Sequence, residues 1–236
     1  MKEGWWDEKR IEGILRKSSN IRDVGNRIEF ISRQFLGIPY KDSTLIGDIN
    51  TPEVLVINLE AMDCLTFIEY VESMRLSNSF SEFKDSLRRI RYKSGIVQFD
   101  KRNHFFTDWI GYNSDCVMDI TKGIGDSIEV LKELNKGEDG SYILPGIPSI
   151  FRRVRYIPSE NINGSLIEKL KTGDYAGIYS LKDGLDVSHV GIIIKDKETV
   201  YIRHASKRYG RVIDEEFKTY MSNKPGLIIL RPKERS

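Results

Sequence analysis

The first third of the chain carries a helical period. Ile11, Ile14, Leu15, Val24, Ile28, Ile31 and Phe35 fall at three-to-four spacing, so residues 7–36 are predicted to form one amphipathic helix. Gly37, Pro39 and Asp42 end it. The clearest helical signal covers residues 63–77, where Asp63 is a good N-cap and Leu65, Ile68, Val71, Met74 and Arg75 follow on one side. Ser81–Arg91 is predicted as a further helix, as are residues 126–135 with Ile128, Leu131 and Leu134 on one side. In the last third the chain breaks into short β-branched or aromatic runs: Tyr175–Leu181, His189–Lys195, Val200–Ala205, Arg211–Asp214 and Leu227–Arg231. Turn residues such as Asp183-Gly184 and Lys207–Gly210 separate them. Helices followed by an antiparallel sheet predict an α+β class. No Pro/Gly/Ser linker divides the chain, so residues 1–236 are expected to form one domain. Its helical part would run to about residue 135 and its sheet part from about residue 150, with 136–149 as a surface loop.

Composition narrows the classes. The 236 residues are 39% hydrophobic and 31% charged, an ordinary globular mixture large enough to bury a core without staples. A net charge of +2 argues against a dedicated nucleic-acid binder. No apolar stretch approaches the roughly 20 residues of a membrane span. Cys64 and Cys116 are too few for a disulfide framework or a four-thiolate zinc site, and leave a single bridge open. The opening residues Met1–Asp7 lack the apolar core of a signal peptide, which leaves a cytosolic protein or one whose leader was removed.

Three side chains carry the candidate chemistry. Cys64 follows Asp63 at a helix start, where free N–H groups and the helix dipole lower a thiol pKa and can face an oxyanion. Burial as an ordinary core cysteine is the plainer alternative. His189 stands at the mouth of the apolar run Val190–Ile194, and His204 near the end of the next run. An even-numbered hairpin between them would put both imidazoles on one face as near neighbours. Cys64 as nucleophile, His189 as base and His204 orienting it would make a Cys-His-polar triad. The rival use is zinc held by the same three residues, although no C-x-x-C or H-E-x-x-H pair accompanies them.

The residues also carry a resemblance. Asp63-Cys64-Leu65-Thr66-Phe67-Ile68-Glu69 resembles the nucleophile motif of NlpC-type, papain-like cell-wall cysteine hydrolases, and most closely their N-acetylmuramoyl-L-alanine amidase-like branch. Phe35–Tyr40 is similar to the Gly-x-Pro-Tyr segment before the nucleophile, and Arg102–Trp109 to a stretch particular to the branch. Gly184–Gly191 resembles the catalytic His motif, His204-Ala205-Ser206 the third triad position, and Gly226–Pro232 the last strand. One departure is Lys41–Thr44, where broader NlpC-type enzymes place Gly-Gly after the tyrosine.

The resemblance implies a papain-like NlpC-type fold, with a helix-borne Cys64 packed on the C-terminal sheet. It implies hydrolysis of the bond between the muramoyl lactyl group and L-Ala, on muropeptides carrying 1,6-anhydro-muramic acid in cell-wall recycling, without metal or other cofactor. The catalytic residues would be Cys64, His189 and His204. The substrate-binding or oxyanion candidates are Tyr40, Asp63, His104, Asp108, Trp109 and Ser188, with Trp109 offering a face to a sugar ring. A γ-D-glutamyl-diamino-acid endopeptidase and a non-catalytic wall-fragment binder are the competing functions. Periplasm or cell envelope is the expected location, with cytoplasm as the alternative. The basic runs Arg88–Arg91 and Arg152–Arg155 are expected to be solvated faces, the second a source of one carboxylate contact to a stem peptide.

Overall fold

Two short helices replace the single one predicted over residues 7–36. In the computed structural model, which describes residues 6–234, α1 (Glu8–Ser19) ends at Asn20, and α2 (Val24–Arg33) starts at the N-cap Asp23, whose carboxylate accepts from the Asn26 amide at 2.7 Å. A good C-cap and a good N-cap three residues apart outweigh the continuous apolar spacing. Met1–Trp5, read above for its missing signal-peptide core, lies outside the described residues.

The centre of the first layer is α3 (Cys64–Arg75), packed by α4 (Phe80–Arg91). Asp63 caps α3 through a reciprocal box: its carboxylate accepts from the Thr66 amide at 2.8 Å, and the Thr66 hydroxyl accepts from the Asp63 amide at 3.0 Å. The stripe predicted along this helix understates its burial, since every residue from Thr66 to Arg75 is buried. Phe67, Ile68, Tyr70, Val71 and Met74 join Phe35, Ile28 and the sheet residues Tyr175, Ile192 and Ile228 in one core. Each such side chain contributes about 1.5–3 kcal/mol. The polar residues of α3 survive there by pairing. Glu69 meets Arg91 at 2.7 Å, and Glu72 meets Arg75 at 2.5 Å. The buried Arg91 overturns the reading of Arg88–Arg91 as a wholly solvated face.

Two short helices, α5 (Asp108–Tyr112) and α6 (Thr121–Ile124), flank β1 (Val117–Asp119). Residues 126–135 are a correction. They contain strand β2 (Ile128–Leu134), paired antiparallel along its whole length with β3 (Ile150–Pro158). Cross-strand pairing to β3 overrides a helical spacing that left Leu131 exposed anyway. The helical part therefore does not extend to residue 135. After α7 (Gly164–Lys169) come β4 (Tyr175–Tyr179), β5 (Val187–Asp196), β6 (Thr199–Ser206), β7 (Arg211–Glu216), α8 (Phe217–Met221) and β8 (Gly226–Pro232).

The sheet is antiparallel, in the order β2-β3-β8-β4-β5-β6-β7, with β1 added to β8. One face carries the core with α1–α4. The other carries a second core in which Ile178, Ile193 and Ile202 pack with Leu166, Phe217 and Met221 from the short helices. The molecule is thus a mixed α+β fold in layers. No helix among the described residues is long and apolar enough to cross a membrane.

Candidate active site

The hairpin β5–β6 decides the site. It turns at Asp196↔Thr199 and keeps an even register through Ile192↔Arg203, so His189 and His204 share a face. His189 Nε2 lies 2.7 Å from His204 Nδ1, with the rings at 90°. The β7 register Arg203↔Asp214, His204↔Ile213 brings Glu215 to the same face, and its Oε2 lies 2.8 Å from His204 Nε2. Tyr220 of α8 closes over the pair, its ring centroid 5.0 Å from His204 and 6.4 Å from His189. A β-bulge at Ser188, between Ile178↔His189 and Tyr179↔Val187, sets the mouth of β5 and leaves Ser188 exposed.

Cys64 enters from the other layer. The β5–β6 ladder stops at Ile192↔Arg203, although β5 begins at Val187 and β6 runs on to Ser206. Beyond that point the start of α3 meets β5: the Val190 amide, one residue past His189, donates toward the Cys64 sulfur. The Cys64 and Leu65 amides at the helix start also face it. The segment before α3 is held by paired backbones. Gly37, at φ 84°, donates its amide to Val212 at 2.9 Å, Tyr40 donates to Gly210 at 2.8 Å, and Met62 donates to Pro39 at 3.1 Å. That stitching brings Tyr40 beside the thiol, and the Tyr40 hydroxyl donates to Asp42.

Electrostatics corrects one expectation. Burial and the neighbouring Asp63 charge push the Cys64 thiol up to about 12, against the downward pull of the helix-start amides. Burial, His204 and Lys224 pull His189 down to about 3, and burial also lowers His204. The resting pair at neutral pH is thus a thiol beside neutral imidazoles rather than a preformed thiolate. Both cysteines are free. The two histidines point nitrogens at each other. No cluster of metal-holding side chains occurs among the described residues.

The predicted binding residues divide. Tyr40, Asp63 and Ser188 lie around Cys64 and His189. Trp109 does not offer a face to a sugar: it is fully buried, edge-on to Tyr175. Asp108 is buried, accepting from Arg152 at 2.8 Å and from the Phe105 amide at 3.1 Å. His104 Nε2 lies 2.8 Å from the Phe99 carbonyl, against the Phe99 ring. All three are held by internal contacts. Of the run expected to be a solvated face, Arg153 is exposed, Arg152 is committed to Asp108 and Thr107, and Arg153 and Arg155 both pair with Glu129. Glu215 is the residue that sequence reasoning missed. The only signal for it was strand parity counted through the Lys207–Gly210 turn.

The fold and the site sequence have known counterparts. The structure superposes on the Legionella pneumophila protein LPG0564 with a TM-score of 0.80 over 95% of this chain and 94% of that one, at 23% identity, a likeness of fold. It superposes on an N-acetylmuramoyl-L-alanine amidase from Bacteroides uniformis with a TM-score of 0.76, at 26% identity, covering 89% of this chain and 99% of that one. No curated protein sequence matches the chain. Residues 30–227, which contain every element of the site, match the model of the AmiA-like family, and the chain belongs to this N-acetylmuramoyl-L-alanine amidase-like family.

Proposed function

We propose that the protein is a cysteine amidase of papain-like, NlpC-type construction that hydrolyses the bond between N-acetylmuramic acid and L-Ala in peptidoglycan fragments. The observation that carries this reading is the chain Glu215–His204–His189, ending beside the sulfur of Cys64 at the Val190 amide.

The proton positions follow from the partners. The Glu215 carboxylate accepts from His204 Nε2–H, so His204 Nδ1 is the acceptor for His189 Nε2–H. His189 Nδ1 is then left with a lone pair, the tautomer a base requires. As the Cys64 sulfur attacks the lactyl carbonyl, His189 Nδ1 takes the thiol proton. The Cys64 amide at the start of α3 donates to the oxyanion. When the C–N bond breaks, His189 returns that proton to the L-Ala nitrogen and the stem leaves. Water, deprotonated by His189, attacks the thioester and releases the muramic acid carboxylate and the thiol.

The substrate class in this reading is a soluble muropeptide, with the 1,6-anhydro sugar of wall recycling as the expected form. The protein then works in the periplasm or cell envelope as a single catalytic domain. The test is mass spectrometry of products from an anhydro-muropeptide, with Cys64→Ala alongside. Free anhydro-sugar plus a stem beginning at L-Ala, absent with the variant, is the expected result. Cleavage inside the stem would move the enzyme to the endopeptidase class, and no cleavage with intact substrate binding would make it a wall-fragment binder.

A further inference from the structure

Two cavities lie beside the candidate centre, one walled by His189 and His204 and the other by Asp63, and they differ in charge. One, of about 660 Å³, is walled by His189, His204 and Tyr220 and rimmed by Lys207, Arg208 and Lys224. Its one carboxylate, Glu215, is engaged by His204. The other, of about 530 Å³, lies along residues 43–51 and is walled by Asp48 and Asp63. Its one cation, Arg102, is paired with Glu53 at 2.5 Å. The cationic rim is held in place: Lys207 donates to Asp42 Oδ2 at 2.7 Å, Arg208 lies over the Tyr209 ring at 5.3 Å, and Lys224 over the Tyr220 ring at 4.9 Å.

Resting on the amidase reading, we propose that the cavity beside His189 is the stem-peptide subsite and that Arg208 and Lys224 recognise the stem carboxylates. The neutral sugar lies along the cavity of residues 43–51. Two independent arguments give this orientation. The group that protonates the leaving amine stands next to it, so the stem must leave past His189, while the acyl half stays on Cys64 toward Asp63. Separately, the acidic half of a muropeptide is its stem, since D-Glu and the diamino acid carry free carboxylates and the anhydro-sugar carries none. The stem belongs against the rim with unspent positive charge and away from Asp48 and Asp63.

The test compares two anhydro-muropeptides, one with a free D-Glu α-carboxylate and one with that carboxylate amidated, on the wild-type protein and on Arg208→Glu. Arg208 is the cleaner probe because the Lys224 charge also bears on both histidines. The wild type is expected to favour the acid by about tenfold in kcat/KM, mostly through KM, and Arg208→Glu to abolish or reverse that preference. Equal rates on both substrates, or a preference that survives Arg208→Glu and Lys224→Gln alike, would overturn the subsite. If neither substrate is cleaved, the amidase reading fails and the subsite is judged on binding alone. Calorimetry of the tripeptide L-Ala-D-Glu-diaminopimelate with Cys64→Ala should then show binding that Arg208→Glu weakens. No binding, or binding unchanged by the substitution, would overturn it.

Discussion

The Glu215 carboxylate lies 2.8 Å from His204 Nε2, and His204 Nδ1 in turn lies 2.7 Å from His189 Nε2. Glu215 is partly exposed and His204 almost wholly buried, so the contact joins a solvent-side charge to an internal ring. Glu215→Leu removes the acceptor and frees His204 to take the other tautomer. A hydrogen bond to a charged group is worth roughly 1.5–3 kcal/mol, so kcat/KM should fall by about 10- to 150-fold. KM should change little, because Glu215 touches His204 and reaches the proposed base His189 only through that ring. Glu215→Gln keeps an acceptor oxygen and should retain more activity than the leucine variant. Steady-state kinetics of the two variants decides it, and equal losses would mean that Glu215 serves only packing.

Cys64 is expected to react slowly with alkylating reagents in the free protein. Its thiol is pushed up to about 12 by burial and Asp63, so little thiolate exists at pH 7. Iodoacetamide labelling followed by mass spectrometry should speed up with pH and show no plateau below about pH 10. Asp63→Asn removes the adjacent charge while keeping a capping oxygen, and should accelerate labelling at pH 8. A plateau near neutral pH in the wild type would instead identify a preformed thiolate.

The placement of Cys64, His189 and His204 was legible because each rests on a local rule. Asp63 capping a helix places Cys64 at its start, and an even two-residue turn at Lys197-Glu198 places His189 and His204 on one face. Glu215 was not legible, because it sits in the run Asp214-Glu215-Glu216. Only the β6–β7 register separates it from Asp214, which turns to the opposite face and pairs with Arg203 at 2.7 Å. β3 was missed because its arginines obscure the alternation that buries Val154 and Tyr156, and without β3 its partner β2 looked helical. Arg91 and Trp109 show the same gap. A charge and an aromatic read as surface features when nothing in the sequence reveals Glu69 or Tyr175 waiting opposite them.

Acid should destabilise the fold before its ordinary carboxylates titrate. An unfolded histidine binds a proton near pH 6.5, whereas His189 folds with its pKa at about 3 and His204 below its usual value. Below pH 6.5 the unfolded state therefore binds more protons, so stability is fully present above that pH and declines toward pH 3. Each group contributes at most about 1.4 kcal/mol per pH unit within that window. Glu69 and Asp186, raised by burial, act in the opposite sense and blunt the slope. Urea denaturation at pH 7 and pH 5 should show the loss, and His189→Gln should flatten it. An unchanged slope in that variant would remove His189 from the account.

The pair Arg91–Glu69 should be costly to break and cheap to replace. Both side chains are buried, the guanidinium also donates to the Val56 carbonyl at 2.7 Å, and it lies 5.4 Å over the Tyr70 ring. Arg91→Met strands a carboxylate in the core and should cost about 3–5 kcal/mol. Arg91→Met with Glu69→Leu removes both charges and should recover much of that loss. Chemical denaturation of the three proteins measures it. Additive losses would show that the pair is not coupled.

Trp109 distinguishes a binding wall from a packed one. Its indole is fully buried against Tyr175, and its Nε1 has no hydrogen-bond partner among the described residues. Trp109→Ala empties that volume and should cost about 3–5 kcal/mol of stability. Trp109→Phe keeps the edge-on contact while removing an unsatisfied donor, so it should cost much less. Under conditions where it remains folded, Trp109→Phe should leave KM for a muropeptide unchanged. A large rise in KM with unaltered stability would mean that the indole meets the sugar after all, through an opening of residues 99–109 on binding.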